Sequence, residues 1–116
     1  MRDEDLKNRT KEFAHRCVKL ALALPKGKLE NHIAGQLIRC STSVAANYRA
    51  SCLAQSKASF ISKISIVLEE SDEASFWLEF IVDEILVRSD RVEPLLSESR
   101  ELTAIFYASC KTARRN

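Results

Sequence analysis

An all-α fold, an antiparallel up-down-up-down four-helix bundle forming a single domain over residues 1–116, is predicted by three observations. Only two glycines and two prolines occur in 116 residues, too few turn formers for an all-β chain. Apolar residues recur at spacings of three and four in four separate segments, the period of an amphipathic helix. The joints between these segments are short, which favours antiparallel neighbours. The chain is long enough to bury a core without disulfides or a structural metal, and 46% hydrophobic with 29% charged residues excludes a disordered polymer.

Helix 1 is expected from about Asp5 to Leu24, carried by Leu6, Phe13, Cys17, Leu20 and Leu24, and closed by Pro25 and Gly27. Helix 2 starts near Leu29, with Ile33, Leu37, Cys40, Val44 and Tyr48 in the same period. Ala34, Ile38 and Ala45 widen its apolar arc beyond one ordinary buried face, so helix 2 is expected to bury two faces. Its small residues, Gly35 among them, would let a neighbouring backbone approach closely. After a joint at Cys52–Ser56, helix 3 is predicted over Ser56–Ser89 by the stripe Phe60, Ile64, Val67, Ser71, Ala74, Leu78, Ile81 and Ile85. Phe76 and Phe80 fall outside that stripe on an apolar flank. Helix 4 begins around Asp90–Pro94, with proline tolerated in a first turn. It continues through Leu95, Leu102, Ile105 and Phe106 to Lys111, Arg114 and Arg115, cations that suit the negative end of the helix dipole.

The four cysteines, Cys17, Cys40, Cys52 and Cys110, form no Cys-x-x-Cys pair and read as core fillers. Net charge is only +2, but it is unevenly spread: residues 1–63 carry +7 and residues 64–116 carry −5. Residues 31–63 hold Arg39, Arg49, Lys57 and Lys63 with no acid, whereas 69–101 hold eleven acids and three arginines. Such a split points to a nucleic-acid surface, to pairing between helices, or to complementary faces in an oligomer. No apolar run is long enough to span a bilayer, and the start Met1-Arg2-Asp3-Glu4-Asp5 lacks the apolar core of a signal peptide, so a cytoplasmic protein without membrane contact is expected.

No phosphate-cradling glycine loop, nucleophile elbow or His-Glu-x-x-His motif occurs, and no enzymatic activity or cofactor is expected. Glu69, Glu70, Asp72 and Glu73 invite a metal-carboxylate reading, but bundle sites of that kind use two inward Glu-x-x-His motifs, which the two histidines do not supply. His15 and His32 read as surface or seam residues. Arg39, Ser43 and Asn47 stand four residues apart along one edge of helix 2, and Lys63, Glu70 and Trp77 seven apart along helix 3. With Glu73 they are expected to form a structural polar seam between helices, because half-buried polar groups need partners. The competing role for Arg39, Arg49, Lys57 and Lys63, with Lys111, Arg114 and Arg115 as a basic tail, is outward contact with phosphates.

The stretch Gln36–Ala50, the stretch Ser56–Lys63 and the run Leu68–Glu79 together resemble the bacterial four-helix bundle proteins associated with intervening sequences in 23S ribosomal RNA genes. The likeness spans roughly residues 10–110 in layout, with its specific motifs on helices 2 and 3. It implies an antiparallel bundle that assembles into a ring-like homopentamer, and kinship with accessory proteins of diversity-generating retroelements, which bind nucleic acid and a reverse transcriptase. An oligomer would cover Ile38, Ala45, Phe76, Trp77 and Phe80, which a lone bundle leaves partly exposed. The expected partners are therefore a second copy of the chain and RNA or DNA, with a purely protein–protein scaffold as the alternative.

Overall fold

The computed structural model describes residues 1–116 and contains four helices: α1 (Asp3–Ala23), α2 (Lys28–Ser51), α3 (Lys57–Asp83) and α4 (Glu93–Arg115), with a 3-10 turn at Ser89–Arg91. Asp3, Glu4 and Asp5 place negative charge at the positive end of the α1 dipole. Ser56 caps α3 by accepting the Ser59 amide at 3.0 Å, and Pro94 sits in the first turn of α4.

Cross-helix contacts fix the directions. The Tyr48 hydroxyl near the end of α2 donates to Asp3 at the start of α1 (3.4 Å). His32 near the start of α2 meets Trp77 near the end of α3, ring centroids 5.5 Å apart. Ser75 and Ser99 share a buried hydrogen bond of 2.7 Å, while Arg114 donates to Ser65 at 3.2 Å, so α4 runs back along α3. Consecutive helices are antiparallel and pack side by side in a body of 45 × 20 × 19 Å. The loosest seam lies between α1 and α4. There Arg9 forks onto Glu98 at 2.8 and 2.7 Å and reaches Glu101 at 3.3 Å, the bidentate geometry that makes arginine–carboxylate pairs strong.

The core is mostly the set the periodicity predicts, but Phe60 and Ile105 are only half-buried, while Val92 and Leu96, outside the predicted stripes, are buried. Leu6, Phe13, Cys17, Leu20 and Leu24 of the first segment are all buried, as are Ile33, Leu37, Cys40, Val44 and Tyr48 of the second. Phe13 and Phe106 are its largest fully enclosed side chains. All four cysteines are free; Cys17, Cys40 and Cys110 are buried core fillers as expected, whereas Cys52, at the C-terminal cap of α2, is only half-buried, and burial pushes the Cys17 and Cys40 thiols up to about 12. Every buried side-chain nitrogen and oxygen has a hydrogen-bond partner.

Two further expectations are corrected. Helix 3 ends at Asp83 and not at Ser89: the Ile85 amide donates to Val82 and the Leu86 amide to Ile81, each at 3.1 Å, the paired bonds of a Schellman turn. That turn needs a left-handed residue, and Ile85 takes the position at φ 52° with its side chain 82% exposed, so it leaves the buried stripe. Gly35, expected to admit a close neighbour, is exposed, and a β-carbon there would meet nothing within 4 Å.

Candidate nucleic-acid interface

No Asp or Glu occurs between Asn31 and Leu68, or after Glu101. Because α2, α3 and α4 alternate in direction, the end of α2, the start of α3 and the end of α4 meet at one end of the bundle. Six predicted contact residues, Arg49, Lys57, Lys63, Lys111, Arg114 and Arg115, come from these acid-free stretches and are gathered there by the topology. All are exposed except Lys63, which is half-buried. The Lys111 ammonium lies over the Tyr107 ring, 5.6 Å from its centroid, and Arg114 holds Ser65. The only acids at this end are Asp3, Glu4 and Asp5 at the start of α1, so the cations of the three acid-free stretches outnumber them and leave the end net positive.

Beside this end, α1 and α2 enclose an open groove of about 680 Å³. Lys7, Lys11, His15 and Arg49 stand on its rim, while Ala14, Val18, Ala45 and Ala46 contribute an apolar floor. Glu4 is its only acid, and lies 4.0 Å from Lys7. Lys7 and Lys11 are basic groove residues that the sequence reading missed, because α1 is dotted with acids of its own. The signal lay in helical spacing: Lys7, Lys11, His15 and Val18 follow one another at steps of four, four and three.

Arg39 does not join the basic end. Its guanidinium crosses to α3, donating to Glu70 at 2.9 Å and to Glu73, while also reaching Gln36 on its own helix at 3.2 Å. Glu73 accepts a further bond from the Trp77 indole at 3.0 Å. The Arg39 guanidinium and then the Trp77 N–H hold the Glu73 carboxyl below the ordinary carboxylate range. The seam is thus real, but smaller than predicted. The Asn47 amide donates to the carbonyl and hydroxyl of Ser43 at 3.0 and 2.9 Å, all within α2, so this pair does not cross to α3. Lys63 stays outside the seam because Glu70 and Glu73 lie seven and ten residues further along α3, about two helical turns away or more.

The expected interface residues fall into two patches on opposite flanks of α2. Ala45 belongs to the α1/α2 groove, and Ile38 is partly buried against the core. Phe76, Trp77 and Phe80 form an aromatic group on α3, with Phe76 meeting Trp77 edge-on at 4.9 Å and Phe80 at 5.9 Å. Trp77 and Phe80 pack against the core, whereas Phe76 stays 50% exposed. One Glu-x-x-His spacing, which the sequence reading overlooked, does occur: Glu12 and His15 lie on the exposed surface of α1 and do not face the core.

The model of the 23S rRNA-intervening sequence protein family matches residues 2–108. The chain belongs to that family. Among solved structures, this member is similar to a crystal structure at 1.70 Å of a protein of unknown function from the S23 ribosomal protein family of Bacteroides thetaiotaomicron. The two share 32% identity and a TM-score of 0.86, with 96% of this chain and 99% of that one covered. A search of curated proteins finds no match. Family membership accounts for the four-helix architecture, and no helix is long and apolar enough to cross a membrane.

Proposed function

We propose that this family member is a non-enzymatic, self-associating cytoplasmic scaffold that holds RNA or DNA through phosphate contacts at the basic end of the bundle. The observation that carries this reading is the convergence of Arg49, Lys57, Lys63, Lys111, Arg114 and Arg115 from three acid-free helix segments onto one end. Such a surface attracts the phosphate backbone without reading bases, and its affinity falls with salt as counterions are released. One copy offers few contacts. Several copies bound to one strand act together through effective concentration, so weak single-copy affinity suffices.

A non-catalytic role is supported by the way the polar groups are used. Arg9, Arg39 and Glu73, whose ionisation is shifted, are all committed to ion pairs between helices. In the groove the Thr42 hydroxyl is engaged by the Ile38 and Arg39 carbonyls of its own helix, at 2.7 and 3.1 Å.

The test is retention of a mixed RNA pool by wild type and by a Lys57→Glu, Lys111→Glu double variant over a range of salt. Both positions are exposed, and an acid at the first residue of α3 favours that helix. The variant should bind more weakly, with the slope of log affinity against log salt reduced by about 1 to 2. Retention that ignores both the variant and the salt overturns the reading.

A further inference from the structure

The end that gathers the cations is also where the core lies open. Arg9 meets Glu98 and Glu101, and from there α4 continues for fourteen residues or more to Arg115, whereas α1 reaches back only six to Asp3. The last turns of α4 therefore outrun α1, and the inward faces beyond the start of α1 have no helix to cover them. Burial follows this overhang. Ile64 is 1% exposed, yet Phe60, one turn earlier on the same face of α3, is only half-buried. Cys110 is buried, yet Ala113, three residues on along α4, is half-buried. Between the two helices lies an open groove of about 390 Å³, lined by Phe60 of α3 and by Ala108, Ser109, Thr112 and Ala113 of α4.

Cations border this groove on both helices. Lys57 precedes Phe60 by three residues, and Lys111 and Arg115 follow Ala108 by three and seven, the spacings of one helix face. None of the three forms an ion pair within the chain. The acids at the start of α1 already have partners: Asp3 accepts the Tyr48 hydroxyl, while Glu4 and Asp5 lie 4.0 and 3.6 Å from Lys7 and Arg2. Lys111 also stands over the ring of Tyr107, which is 56% exposed. Two aromatic rings open to solvent thus accompany unpaired cations at one end of the bundle.

Phosphate contact alone has no use for an apolar groove, whereas a nucleobase does. Its planar faces stack on aromatic side chains whatever its identity, and the backbone that carries it follows positive charge. We infer that the basic end holds single-stranded nucleic acid, with one unstacked base against Phe60 in the groove, a further base on Tyr107, and the adjoining backbone on Lys57, Lys111 and Arg115. A duplex keeps its base faces stacked on one another and offers this end its phosphates only. The inference rests on the phosphate contact in the proposed function and names the form of nucleic acid that the contact selects. It also reverses the order that charge alone dictates, because a duplex carries phosphate at about twice the density of a single strand.

The test compares oligothymidylate with its duplex on oligodeoxyadenylate, equal in length, for full-length wild type, Phe60→Leu and Tyr107→Leu. Leucine keeps an apolar side chain and removes the ring face, and an unchanged melting transition checks folding. Tyr107 is exposed, so its variant keeps the test standing should Phe60→Leu fold less well. Wild type should bind the single strand at least about fivefold more tightly than the duplex, the lower end of what one base stack supplies. Phe60→Leu should lose most of that preference and Tyr107→Leu part of it, with duplex affinity unchanged in both. A strand carrying iodouracil, irradiated on wild type, should crosslink to Phe60 or Tyr107. A duplex bound as tightly as the single strand, with both weakened by Lys57→Glu and Lys111→Glu together, overturns the base contact and leaves the phosphate contact standing. Failure of either nucleic acid to bind overturns both. A preference that survives both leucine variants overturns the assignment of the groove, and a fall in assembly mass for Phe60→Leu would then give the groove to a second copy.

Discussion

Ten residues separate Arg39 from Arg49 on α2, and the two guanidinium groups face different surroundings. Moving ten residues forward along α2 moves about ten back along its antiparallel neighbour, from the carboxylates of Glu70 and Glu73 to the acid-free region around Phe60 and Lys63. Arg39 is consequently spent on joining α2 to α3, while Arg49 stays in the α1/α2 groove near the basic end. A charge-poor or charge-rich stretch of sequence thus acquires its role only when the register shows what stands opposite. The same counting turns the lengthwise charge split into a difference between the two ends of a 45 Å body.

The core should not share this difference. Leu37 lies beneath the Arg39 half of the seam and Ile64 nearer the basic end, and both are buried at 1% exposure or less. Truncation of either to alanine should cost about 2–5 kcal/mol in denaturant unfolding, the transfer loss plus the cavity left behind. Similar losses would show that one core runs under both ends. A near-neutral Ile64→Ala would mean that mutual repulsion among the cations has already loosened the basic end.

A smaller effect of opposite sign is expected at the other end, where α3 turns into the connection to α4. Ile85 carries a β-branched side chain at φ 52°, a conformation that costs about 1–2 kcal/mol in L-residues but almost nothing in glycine. Its side chain is 82% exposed, so little packing is lost on removal. Ile85→Gly should therefore raise stability by roughly 0.5–1 kcal/mol, after the extra unfolded-state freedom of glycine is subtracted. A loss of stability would show that the Ile85 side chain has a packing role its exposure conceals.

Ile85 also marks where sequence reading stopped working. The four helices and nearly all of the core followed from spacing, because burial of one stripe per helix dominates the energetics. The end of α3 did not, because the apolar period runs on to Ile85 while no glycine or proline announces the turn. Phe76 was recognisable as an outlier because it breaks that same period. The fork of Arg9 on Glu98 was invisible: the partners lie 89 residues apart, and only the placement of α4 beside α1 brings them together. Lys7 and Lys11 were hidden by the acids around them on α1, since a net charge averaged along a helix erases what one face presents.

The smallest effect separates the mid-bundle seam from the basic end by pH. The carboxyl of Glu73 is held below the ordinary carboxylate range, first by Arg39 and then by Trp77. The unfolded chain, with an ordinary value near about 4.3, then takes up a proton before the folded chain does. The stabilisation is complete above the unfolded value and is lost as pH falls through the lower folded one. Glu73→Gln should therefore be less stable than wild type at neutral pH, by less than about 1 kcal/mol because Arg39 is half-exposed and water screens the pair. The gap should begin to close as pH falls through the ordinary carboxylate value of about 4.3 and vanish below the lower folded one, because the protonated wild-type side chain no longer differs in charge from glutamine. Lys57→Gln, at the acid-free end, removes a cation with no carboxylate on its own helix segment to lose, so its stability difference from wild type should stay flat over the same range. If the two variants show the same pH dependence, then Arg39 is no better neutralised than the free cations, and the contrast between seam and basic end disappears.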